Sequence, residues 1–64
     1  MDNETLTTAL AEMTEWRDAL TVRLLSDEDR KNGDIHLWFA LMGMRNVMSK
    51  VLKAHDLDKA QPVG

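Results

Sequence analysis

Residues 37–44, Leu-Trp-Phe-Ala-Leu-Met-Gly-Met, are eight apolar residues in succession within a chain of 64. A helix on the surface of a small protein needs one apolar stripe; a helix apolar all round has to be covered all round. A chain of this size buries only about 60% of the surface that its unfolded form exposes. Small scaffolds make up the deficit with disulfides, a metal or a partner subunit. The sequence has no cysteine, so disulfides are excluded and the commonest zinc ligand is missing. Packing and association are left as sources of stability.

The rest of the chain divides around that run. From residue 4 to about 25, Leu6, Ala9, Leu10, Met13, Trp16, Leu20 and Leu24 recur at steps of three and four, which predicts one face of an α-helix. Asp2 or Asn3 is placed to cap its start. Residues 26–33, Ser-Asp-Glu-Asp-Arg-Lys-Asn-Gly, contain nothing apolar. Asn32-Gly33 signals a turn, and Ser26 with Asp29 has the spacing of a capping box, which predicts a short helical turn inside the connector. Asp34 is placed to cap a second helix over about 34–55, with Leu37, Trp38, Leu41, Met44, Met48, Val51 and Leu52 in one stripe. Residues 56–64, ending Gln-Pro-Val-Gly, read as a frayed tail. The expected architecture is a single all-α domain, an antiparallel two-helix hairpin.

A lone hairpin leaves the apolar run unexplained. On a helical wheel centred on Leu41, Phe39 points roughly 160° away, and Ala40, Gly43, Val47 and Ala54 also fall outside the stripe. Large contiguous apolar patches mark interaction sites, and two-fold homodimers are the commonest assembly. The expectation is therefore a dimeric four-helix bundle with Trp38, Phe39, Met42, Gly43 and Val47 at the seam between hairpins. Gly43 costs about 1 kcal/mol of helix stability relative to alanine. Close approach of a neighbouring backbone is one return for it; neutral drift is the other reading.

Catalysis and metal binding find little support. Nucleophilic catalysis needs an activated nucleophile beside an oriented base. The chain has no cysteine or tyrosine and two histidines, and Ser26 and Ser49 stand in no activating motif. His36 and His55 lie about five helical turns apart, too far to share an ion. Neither a phosphate-binding loop nor a cofactor motif is present. The sequence predicts no enzyme, cofactor or metal. The acidic, polar start and the absence of a long apolar segment predict a cytoplasmic protein without a signal peptide or membrane span.

Charge is unevenly placed. The chain carries −3 overall, but residues 1–29 carry −6 and residues 30–64 carry +3. Glu15, Asp18, Asp27, Glu28 and Asp29 form an acidic strip on the first helix and the connector. One reading is docking against a protein partner with a basic surface, in the manner of a phage- or plasmid-type inhibitor of a nucleic-acid-handling protein. Charge runs are more often solvated faces. The alternative uses Arg45, Lys50 and Lys53 on the second helix as a ridge for RNA or DNA backbone. In layout and length the chain is similar to Rop-type helical-hairpin RNA binders, small plasmid proteins that dimerise into four-helix bundles. The likeness is one of architecture, without a shared motif, so it carries no residue roles. Arg17 and Arg45 sit at the edges of their stripes, with their guanidinium groups expected in water or paired to a partner's carboxylate. The Met42, Met44 and Met48 cluster suits a core and an adaptable helix-binding surface alike.

Overall fold

The computed structural model describes residues 2–57. Within them the chain is all-α: α1 spans Asn3–Ser26, α2 is a four-residue turn over Glu28–Lys31, and α3 spans Ile35–Ala54. The long helices fall within a residue or two of the expected bounds, and the predicted helical turn in the connector is α2. Of the frayed tail expected over 56–64, Asp56 and Leu57 instead close the end of α3, and the remainder lies outside the described residues.

Asp2, rather than Asn3, caps α1: its carboxylate accepts the backbone N–H of Thr5 at 2.7 Å. That bond holds the Asp2 carboxyl below its usual pKa. The other two expected caps do not form. Ser26 Oγ donates backwards to the Arg23 carbonyl at 2.7 Å, and Asp29 is taken by Arg23, so no capping box closes on α2. Asp34 begins α3 without a side-chain cap bond; its carbonyl accepts from Trp38 N at 2.9 Å.

The connector closes by backbone geometry instead. Gly33 has φ +89°, Gly33 N–H donates to the Arg30 carbonyl at 3.0 Å, and Asp34 N–H donates to the Asp29 carbonyl at 2.8 Å. That bond pair is a Schellman ending, which favours glycine at the left-handed position. Asn32, read with it as a turn residue, keeps φ −84°. The same ending terminates α3, with Asp56 at φ 63° and Leu57 N–H bonded to the Leu52 carbonyl at 2.8 Å. Gly33→Ala is therefore expected to lower stability by about 1 kcal/mol. Asp56→Gly is expected to raise it by a smaller amount, both read from urea midpoints.

The helices meet along a seam with alternating steps of four and three: Leu6, Leu10, Met13, Arg17, Leu20 and Leu24 on α1, and Trp38, Leu41, Arg45, Met48 and Leu52 on α3. This is the spacing that keeps two helices in register along a coiled-coil contact. The seam is thinly buried. Among the described residues the only buried hydrophobic side chains are Leu10 and Leu52, the latter at 0% exposure.

Two seam positions hold arginine. Arg45 Nε donates to Thr21 Oγ1 at 2.8 Å, and the Arg17 side chain is only 13% exposed, with Nε bonded to Asp18 at 2.8 Å. Both guanidinium groups are thus bonded within the hairpin, Arg17 to the exposed Asp18 and Arg45 to Thr21. Thr14 and Thr21 donate their hydroxyls to the carbonyls four residues back, at 3.0 and 2.8 Å. Their methyl groups can then face the seam with no orphaned donor.

Candidate interaction surface

The seam has two sides, and they differ. Residues that follow seam positions lie on one side; Thr14 and Thr21 from α1 and Met42 and Ser49 from α3 are half-buried there, while others, Leu25 and Phe39 among them, are exposed. On the other side lie the preceding residues, Trp16 from α1 and Leu37 and Met44 from α3, all exposed. Trp16 is 63% exposed. Ala9, Trp16, Leu37 and Met44, assigned to the core stripes from the helical pattern, therefore face outward in the hairpin.

Along α3 this flank continues into Ala40, Val47 and Ala54, all exposed, and into the half-buried Val51. Leu37, Ala40, Met44, Val47, Val51 and Ala54 repeat the three-four alternation of the first seam, one residue behind it. The second row gives α3 an apolar flank besides the one that meets α1. The signal was available in the sequence, but a single 3.6-residue wheel merges the rows into one broad stripe and hides it. Phe39, Ala40, Gly43, Met44, Val47 and Met48 line an apolar groove of about 480 Å³. Val47 is 60% and Phe39 59% exposed, and Phe39 packs edge-on against Trp38 at 5.2 Å. A Cβ built at Gly43 would meet nothing within 4 Å, so the hairpin offers no return for glycine there.

The five residues expected between hairpins are thus divided. Phe39, Gly43 and Val47 are open, whereas Trp38 and Met42 are half-buried on the side of α3 that meets α1. Arg30 stacks its guanidinium over the Trp38 ring at 5.6 Å. Trp38 Nε1 and Ser49 Oγ are buried without a hydrogen-bond partner among the described residues.

Much of the acidic strip is occupied within the chain. Arg23 binds Asp29 through two bonds, Nε to Oδ2 at 2.8 Å and Nη2 to Oδ1 at 2.9 Å. Arg30 holds Asp27 in the same way, at 2.9 and 2.7 Å. Asp18 pairs with Arg17. The guanidinium bonds lower the carboxyl pKa of Asp27 and Asp29 and raise those of Arg23 and Arg30. Glu15 and Glu28 remain exposed. On the basic side, Arg45 is turned towards Thr21, which leaves Lys50 and Lys53 as the exposed part of the ridge. Among the described residues no three His, Asp or Glu side chains gather as a metal site, and no helix is long and apolar enough to cross a membrane.

These pairings carry a pH dependence of definite sign. A carboxyl whose folded pKa lies below its unfolded value of about 3.9 contributes stability that is present above that value. The contribution is lost as pH falls through the folded pKa. Asp27 and Asp29 are expected to leave urea stability flat from neutral pH to about pH 5 and to depress it below about pH 4. Asp29→Asn should make the acid limb shallower; an unchanged acid limb would show that the pair contributes nothing.

Comparison with known proteins finds no matching family, no matching curated protein and no matching solved structure.

Proposed function

We propose that this chain is a small non-enzymatic interaction protein that works as a homodimer. Two hairpins bury the open flank of α3 in a four-helix bundle and present their outer acidic faces to a basic surface on a larger macromolecule, which they block or regulate. The observation that carries this reading is the mismatch between core and surface. Two hydrophobic side chains are buried, while nine large ones are exposed among the described residues, and three of those on α3, Leu37, Met44 and Val47, lie in one row. A chain with so little core of its own gains its missing burial from a partner.

The acidic docking face rests on Glu4, Asp18 and Glu28, all exposed. Capture from a cell extract is expected to retain a partner on wild type and lose it with Asp18→Lys/Glu28→Lys, a pair that leaves the apolar flank untouched. Equal capture by both proteins would contradict the acidic face. The RNA or DNA reading is the competitor. A salt-sensitive mobility shift abolished by Lys50→Ala/Lys53→Ala would move the function to the ridge.

A further inference from the structure

A second copy offers two faces to the open flank of α3: its own α3, or its α1. We propose that the partner's α1 seats there, so that the two-fold axis runs along the bundle and both connectors emerge at the same end. This rests on the dimer proposed above and adds its geometry. If α3 packed on α3, the axis would cross the bundle and the connectors would lie at opposite ends.

Charge separates the two arrangements. Within its helical bounds α1 carries Glu4, Glu12, Glu15 and Asp18 against Arg17 and Arg23, a net of −2, whereas α3 carries Arg45, Lys50 and Lys53 with no acid, a net of +3. Packing α3 on α3 brings together two helices of net +3, and the α1 pair brings together two of net −2. Packing α3 on the partner's α1 alternates acidic and basic helices around the bundle. Every helix is antiparallel to both neighbours in either arrangement, so the helix dipoles do not separate them and the charge does.

Register agrees with charge. The 2.8 Å contact of Arg45 with Thr21 fixes which residues of α1 and α3 lie level. Counting five residues from it in opposite directions brings Lys50 level with Trp16, next to Glu15; counting two brings Val47 level with Ala19. An axis along the bundle preserves those levels between chains. Lys50 then lies at the rim opposite the partner's Glu15, and Val47 faces the partner's Ala19. Trp16, the largest exposed side chain of α1, is set beside the partner's Val47 and Val51. Pairing like helices would cover Trp16 only by bringing the two acidic helices together.

The chain has no cysteine, so single-cysteine variants report on one contact each. Chains carrying Ala19→Cys, mixed with chains carrying Val47→Cys and mildly oxidised, are expected to form the mixed disulfide. Val47→Cys alone is expected to stay uncrosslinked, because a disulfide needs Cα atoms within about 7 Å. Charge exchange gives an independent reading: Glu15→Lys or Lys50→Glu should raise the dimer dissociation constant about tenfold, and the double variant should restore it. A dimeric mass with efficient Val47–Val47 cross-linking, or with no Ala19–Val47 cross-link, overturns the geometry. Failure of the double exchange to restore affinity does the same. A monomeric mass overturns the dimer on which it rests.

Discussion

Val47→Asp is expected to convert a folded dimer into a largely unfolded monomer. Val47 lies in the middle of the outward row on α3, 60% exposed and in a groove with Phe39, Gly43 and Met44. In an isolated hairpin, a carboxylate there would reach water and change little, since exposed substitutions fall within about 0.5 kcal/mol of wild type. In a dimer the same carboxylate is buried twice, once per chain, without a partner, and an unpaired buried charge is far costlier than a lost methyl. The dissociation constant should rise on the order of a hundredfold or more. Helicity should fall with it, because a chain that depends on its partner for burial has no stable folded monomer. Circular dichroism and sedimentation of the same samples check both effects. Unchanged helicity and mass would contradict the role given to the flank.

Leu52→Ala has the second large effect, for a different reason. Leu52 is the one fully buried side chain, at 0% exposure, and Leu10 is the only other buried hydrophobic residue among those described. Truncating a buried leucine costs about 2–5 kcal/mol through lost transfer energy and the cavity left behind. A domain of this size has about 3–10 kcal/mol in total. The variant should shift the urea midpoint sharply or fail to fold at room temperature. Leu25→Ala, at a position 80% exposed, should stay within about 0.5 kcal/mol of wild type. Comparable effects at the two positions would contradict the placement of the seam.

The fold was legible because its determinants are periodic. The spacing of Leu6, Leu10, Met13, Leu20 and Leu24, the polar connector and Gly33 together predict two helices and a turn. The caps were less legible: Ser26 Oγ turns back to the Arg23 carbonyl, Asp29 is bound by Arg23, and Asp34 makes no side-chain cap bond. Arg23 outcompetes the α2 backbone for Asp29 by offering two charge-assisted bonds, and nothing local in the sequence records that. The charged strip shows the same limit. Its five carboxylates read as one acidic face, yet Asp18, Asp27 and Asp29 are each engaged by an arginine. Arginines at positions 17 and 45 interrupt the seam, so a wheel weighted by hydrophobicity drifts towards the adjoining apolar row. That drift places Trp16, Leu37 and Met44 in the expected core, whereas they lie on the open flank.

Native mass bears most directly on the claim that α3 has a second neighbour. Sedimentation equilibrium at micromolar concentration is expected to report about twice the 7.3 kDa chain mass. A fully helical, cooperatively unfolding species at 7.3 kDa would contradict it.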